Sequence, residues 1–182
     1  MYRLTRLPDW PESQYSFAEQ SAHFTVDSAS VMQYVQSRRI VIIDIRPSEY
    51  YAGLKSDQAR AGHVPGAINR PFTEDIKKIG GATKFKSRGL LAGACSTLVP
   101  SQDSTVIVHC RVGHQASETF FVPKHLLGHR NVLWCDWGWN EWARRPGLSI
   151  EVDSPRDEAK AASSGWVMDA DVTTARTCVT HP

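Results

Sequence analysis

Two stretches of the chain are apolar without interruption. Arg39-Ile-Val-Ile-Ile-Asp-Ile and Thr105-Val-Ile-Val-His carry β-branched residues at consecutive positions. Strands covered on both faces of a parallel sheet require that pattern, whereas half-exposed strands alternate. Asn131-Val-Leu-Trp is a third expected strand, and Phe24-Thr-Val and the end of Gly62-His-Val-Pro-Gly-Ala-Ile-Asn are short ones. Helical signals fall between them. Ser28 or Ser30 is suited to cap a helix through Tyr34 and Val35. Pro47 fits the first turn of a helix over Glu49 to Leu54. The stretch Lys55 to Arg60 reads as a polar loop, Thr73 to Gly81 as a region holding a turn of helix, and Phe85 to Leu98 as a helix. A further helix follows Cys110 and runs through Phe120, Phe121, Leu126 and Leu127 to Gly128. Pro123 lies inside it and predicts a kink.

Strands alternating with helices predict an α/β fold, a parallel β-sheet flanked by helices on both faces. In such sheets sites lie at the carboxyl ends of strands. The pattern predicts an irregular lead-in over residues 1–22, one domain over 23–151, and a disordered tail over 152–182, where Ser, Ala, Asp and Thr dominate. With 21 basic and 19 acidic side chains the net charge is +2, which gives no electrostatic footprint for nucleic acid or an anionic membrane. No stretch has the length of a signal peptide's apolar region or of a membrane span. The default expectation is a cytoplasmic protein.

The four cysteines, Cys95, Cys110, Cys135 and Cys178, form no C-x-x-C pair, so neither a disulfide framework nor a zinc site is expected. Cys110 differs from the others in its setting. It follows a buried strand and precedes a short loop with Gly113 and then a helix. Such a loop directs backbone N–H groups and the positive end of a helix dipole at the sulfur, and Arg111 adds a full charge. Thiols so placed have pKa values of about 3.5–7.5, low enough for a nucleophilic thiolate at neutral pH. The competing reading is a small buried hydrophobe at a strand end. A cysteine-dependent phosphatase needs C-x5-R, in which the arginine cradles phosphate. The sixth residue after Cys110 is Ala116, so phosphoryl transfer lacks its main charge partner.

Four motifs in order resemble the rhodanese family over roughly Phe24 to Glu151: Asp44-Ile-Arg-Pro-Ser-Glu-Tyr, Gly62-His-Val-Pro-Gly-Ala-Ile-Asn, His109-Cys-Arg-Val-Gly-His-Gln-Ala-Ser, and Leu127-Gly-His-Arg-Asn-Val-Leu-Trp-Cys-Asp-Trp-Gly-Trp-Asn-Glu-Trp. The last is most similar to the catalytic C-terminal half of tandem thiosulfate and 3-mercaptopyruvate sulfurtransferases. The resemblance implies that Cys110 takes the outer sulfur of a donor as a persulfide and passes it to cyanide or a thiol in two half-reactions. It also implies a substrate-binding loop of Arg111, Val112, Gly113, His114, Gln115 and Ala116. A basic residue after the cysteine favours thiosulfate, a dianion, and His114 adds charge when protonated. The arginine that tandem enzymes often carry near the position of Tyr50 is missing, which leaves Arg46 or Arg60 as candidate anion contacts. Cys135 and Trp137 stand where tyrosine and glycine are usual. The alternatives are a persulfide relay delivering sulfur to a partner protein, and a 3-mercaptopyruvate enzyme.

Other residues carry two readings each. Asp44 and Arg46 form a structural ion pair at a strand end or shape the site. Arg60 is a solvated loop charge or an anion contact. His63 fits a structural turn. His125 and His129 are four residues apart with Gly128 between them and no third ligand, so no metal is expected, nor any cofactor. Trp134, Trp137, Trp139 and Trp142 suit core and rim packing around a final short helix, with a ligand-facing role open for Trp137 or Trp139. Cys135 reads as a buried hydrophobe, or as a resolving thiol if it lies beside Cys110.

Overall fold

The computed structural model describes residues 11–14, 16, 24–37 and 40–153. Most of the expected lead-in, and the expected tail from residue 154 onward, lie outside the described residues. A four-stranded parallel sheet in the order β2-β1-β5-β6 organises the rest. Its strands are β1 (Ile40–Asp44), β2 (Ile68–Asn69), β5 (Thr105–His109) and β6 (Val132–Cys135). The two uninterrupted apolar runs are the two central strands, paired in register from Ile40↔Thr105 to Asp44↔His109. Val106, Ile107 and Val108 are fully buried, and each such side chain is worth about 1.5–3 kcal/mol of burial. Phe24-Thr-Val pairs with Trp134 through a single parallel bridge at Thr25.

Helices cover both faces, as the α/β reading requires. Helices α1 (Ser28–Ser37) and α5 (Gly138–Arg144) pack Val31, Trp139, Trp142 and Ala143 against Ile42 and Ile107. On the opposite face, α3 (Arg88–Leu98) and α4 (His114–Phe121) set Leu98, Ala116 and Phe120 against Ile43, Val106 and Val108. A short helix α2 (Ser48–Tyr51) follows Pro47. The start of α1 is capped by Asp27, whose Oδ1 accepts the Ser30 N–H at 2.8 Å, and not by either serine. Helix α4 does not merely kink at Pro123. It passes into a π-helical turn, Val122–Leu127, which absorbs the missing N–H before Gly128 ends it in the left-handed conformation.

Residues 73–81 depart from expectation. One 3-10 turn, Phe72–Glu74, leads into an antiparallel hairpin of β3 (Ile76–Ile79) and β4 (Ala82–Phe85), and α3 starts only at Arg88. A two-residue Gly80-Gly81 turn joins the strands, the geometry that matches strand twist in a tight hairpin.

Beyond α5 the chain returns to the Gly62 turn. His63 and Glu151 exchange both backbone hydrogen bonds, at 2.8 and 3.0 Å. Gly62 lies so close that a Cβ there would be 2.2 Å from the Glu151 carbonyl oxygen.

Candidate active site

Strand β5 ends at His109, and the chain turns through Cys110–Gly113 into α4. Cys110 is only 1% exposed, and its Sγ accepts the Gly113 N–H at 3.1 Å. This tight loop demands glycine twice. Gly113 has φ +86°, and a Cβ there would be 2.6 Å from the Asp136 carbonyl oxygen. Gly138, at φ +55°, faces the loop from the other side, where a Cβ would be 2.3 Å from the Cys110 oxygen. The first turn of α5 then grips the loop. Trp139 N–H donates to Cys110 O at 2.8 Å, and Asn140 N–H to Arg111 O at 3.0 Å. Trp134 Nε1–H adds a bond of 3.1 Å to Gly113 O. The loop is therefore held from behind by backbone, which leaves the side chains of Arg111, Val112, His114 and Gln115 exposed.

Beneath the loop is a charged interior. Arg46, 4% exposed, bonds both Asp44 oxygens through Nε and donates from Nη2 to Asp44 Oδ2 at 2.6 Å and to Gly62 O at 2.8 Å. Its guanidinium lies 4.7 Å from the centre of the Trp139 ring, a cation–π contact. Burial pushes the Asp44 carboxyl up, but the pull of His109 and Arg46 outweighs it, and its pKa falls below the ordinary value. Burial drives His109 the other way, toward the neutral ring. Its Nδ1 lies 3.3 Å from Cys110 O, and its Nε2, which has no hydrogen-bond partner, lies 3.7 Å from Asp44 Oδ2.

Several expected roles change with these positions. Arg46 braces Asp44 and the Gly62 turn and is enclosed by them, which is the structural ion pair of the two readings. Arg60 reaches four carbonyls, those of Trp142, Ala143, Arg145 and Leu148, at 2.7–2.9 Å. It caps the C-terminal end of α5, in place of the expected anion contact. The Ala116 side chain is fully buried with Phe120 and Val108, a support under the loop and not a lining of it. Trp139 is core at 1% exposure, whereas Trp137 is 60% exposed. His63 stacks on Tyr51 at 3.7 Å and bonds the Tyr51 carbonyl through Nδ1.

Cys135 pairs with His109 across β5 and β6 and packs with Ile42 and Trp139, on the face opposite the Cys110 cluster. Burial pushes its thiol up to about 11. It is packed as a core residue, in line with the buried-hydrophobe reading. Burial also raises Cys95, whose Sγ lies 3.6 Å from His129 Nε2. Among the described residues no three His, Cys, Asp or Glu side chains gather to hold a metal ion.

A cleft of about 410 Å³ opens beside the loop, lined by Val112, His114, Trp134, Asp136, Trp137 and Asn140. A larger hollow of about 590 Å³, bordered by Asp27, Ser30, Tyr34, Asp136 and Trp137, contains no residue of the Cys110–Gly113 loop. The smaller one borders the loop through Val112, and neither hollow is lined by Cys110 itself. Asp136 and Asn140 escape sequence reasoning because only folding brings them beside Val112. Asp57 escapes it too: its carboxylate pairs with Arg111 across 54 positions of chain.

Comparison with known proteins agrees with this geometry. The chain is 30% identical to the thiosulfate sulfurtransferase of Corynebacterium glutamicum over 156 residues, 80% of this chain and 50% of that protein. It is 33% identical to the thiosulfate sulfurtransferase of Pseudomonas aeruginosa over 130 residues, 69% of this chain and 46% of that one. Sulfur carrier protein TtuD of Thermus thermophilus is 29% identical over 157 residues, 80% of this chain and 54% of its own length. The chain thus spans about half the length of the curated relatives it matches. An anaerobic ergothioneine biosynthesis enzyme from Chlorobium limicola shares the fold, with a TM-score of 0.63 and 23% identity over 74% of this chain and 33% of that one. The profile of the rhodanese-like domain matches residues 27–145, from the cap of α1 to the end of α5, and by that match the chain belongs to the rhodanese-like domain family.

Proposed function

We propose that this protein moves sulfane sulfur from thiosulfate, through a persulfide on Cys110, to cyanide or a thiol acceptor. The observation that carries the reading is the Cys110 sulfur itself, set at the end of β5, bonded to the Gly113 N–H and flanked by the exposed cation of Arg111. In the first half-reaction the thiolate attacks the outer sulfur of thiosulfate. The sulfur–sulfur bond of the donor breaks, and sulfite leaves with the electron pair. In the second, cyanide attacks the outer persulfide sulfur, thiocyanate departs and the thiolate is restored. A thiol acceptor would leave as a persulfide by the same displacement. Arg111, Val112, Gly113, His114 and Gln115 surround the donor, with Arg111 as the charge partner of a dianion.

The names of the Corynebacterium and Pseudomonas relatives support thiosulfate as donor. A second reading, a relay that hands the persulfide to a partner protein, draws support from the Thermus relative named a sulfur carrier. It also fits the open cleft with exposed Trp137 beside the loop. No helix among the described residues is long and apolar enough to cross a membrane. The unpaired thiols of Cys95, Cys110 and Cys135 fit a reducing compartment such as the cytoplasm.

Incubation with thiosulfate should add one sulfur atom to the intact mass of the protein, and cyanide should remove it. Survival of that adduct in Cys110→Ser would sink the assignment. Comparing turnover of thiosulfate and 3-mercaptopyruvate then separates the donors.

A further inference from the structure

Arg111 does not stand free above the sulfur. Its Nη1 contacts Asp57 Oδ2 on the Lys55–Arg60 loop, with the two side chains 52% and 38% exposed. That loop is built to hold the carboxylate in place. Lys55 N–H returns to Glu49 O at its start, and Ser56 Oγ–H faces the carbonyls of Gln58 and Arg60 within it. Arg60 anchors its end to the four carbonyls around the close of α5. Gln58 Nε2–H donates to the other Asp57 oxygen at 3.3 Å. The hydrogen bond from Arg111 holds the Asp57 carboxyl below its ordinary value, so it is ionised at neutral pH. The cation beside the sulfur thus arrives already matched by an anion from a braced loop.

We propose that Asp57 is a specificity-determining residue, a built-in carboxylate that occupies Arg111 in the free protein and that a donor anion has to displace. The proposal rests on the reading of Arg111 as the donor's charge partner. Binding exchanges one ion pair for another, with no covalent change. The displaced carboxylate stays nearby on its loop, so its repulsion acts on whatever anion replaces it. That repulsion scales with the donor's charge. Thiosulfate, a dianion, meets more of it than 3-mercaptopyruvate, a monoanion. Asp57 therefore narrows the preference for dianions that Arg111 alone would impose.

The test uses the full chain and its Asp57→Asn and Asp57→Glu variants, assayed with both donors and cyanide at low ionic strength. Asp57→Asn should lower the KM for thiosulfate about two- to fivefold, the range set by the worth of an exposed ion pair. It should leave kcat unchanged and move the KM for 3-mercaptopyruvate less. Asp57→Glu should return the wild-type values, and added salt should shrink the difference. An unchanged or raised KM, or equal gains for both donors, overturns the proposal. A readout independent of turnover is calorimetric titration of sulfite, the departing dianion, into Cys110→Ser with and without Asp57→Asn. Tighter binding in the double variant supports the gate, and equal binding overturns it. Absence of sulfur on wild-type Cys110 with either donor would count against the sulfurtransferase reading instead, and the sulfite titration decides the gate separately.

Discussion

Two arginines lie near Cys110 and do opposite things. Arg46, under the loop, is enclosed by Asp44, Gly62 and Trp139, and every one of these contacts is internal to the fold. Arg111, on the rim, is half exposed and touches one carboxylate on another loop. The interior charge is tied into the fold and the rim charge can exchange partners. Removing a buried partner leaves an uncompensated ion, whereas an exposed pair costs little to break. Proximity to Cys110 is thus a poor guide to which cation is free to meet a ligand. The degree of enclosure is a better one.

The largest effect expected from this contrast is on stability. Arg46→Met leaves the Asp44 carboxylate buried without its partner and should cost about 3–5 kcal/mol in chemical unfolding. It should also move acid unfolding upward in pH. A carboxyl whose folded pKa is depressed contributes stability above its ordinary value and loses it as pH falls through the folded value. Without Arg46 that depression shrinks, so the loss begins at higher pH. If Arg46→Met kept its stability and lost thiosulfate affinity, the division between the two arginines would fail.

An intermediate effect falls on catalysis alone. Arg111→Gly should reduce kcat/KM for thiosulfate by roughly ten- to a hundredfold, the loss of one charge-assisted contact. Its unfolding free energy should change by no more than about 0.5 kcal/mol, as for other surface changes. An unchanged ratio of thiosulfate to 3-mercaptopyruvate turnover would reject the role of Arg111.

The smallest effect lies between the two regimes, at half-buried Glu118 on α4. Burial and the nearby Asp75 push its carboxyl up to about 7, and its Oε1 is buried without a hydrogen-bond partner. Its folded pKa exceeds the ordinary value of 4.5, so the folded state holds the extra proton and stability should fall as pH rises from there toward about 7. Glu118→Gln should flatten that slope in thermal unfolding measured across the window. An unaltered slope would show that the group behaves as an exposed one.

What the sequence revealed was local. The central strands announce themselves through unbroken β-branched runs, and the Cys110 loop through a strand end, a glycine and a helix start within a few residues. The hairpin was hidden because β3 and β4 bury little beyond the Ile76–Phe85 pair at their base, while Lys77 and Lys84 face each other in solvent. Four-residue strands of that kind have no apolar period, although Gly80-Gly81 did mark a turn. Arg60 reads as a loop charge or an anion contact because its real partners are carbonyls 82 to 88 positions away. Asp57 was invisible for the same reason. Backbone acceptors and long-range ion pairs leave no trace in spacing.

The clasp between His63 and Glu151 also lies beyond the reach of the family profile. The family profile stops at residue 145, yet the six residues beyond it carry structural load. Leu148 O receives Arg60, Ser149 O receives Trp142 Nε1–H, and Glu151 closes over Gly62. A boundary drawn at the end of the profile would strip acceptors from two side chains and uncover the turn that Arg46 braces from within. One drawn after Asp153 keeps all of them, so among the described residues a pair of backbone hydrogen bonds reaches past the point where the resemblance ends.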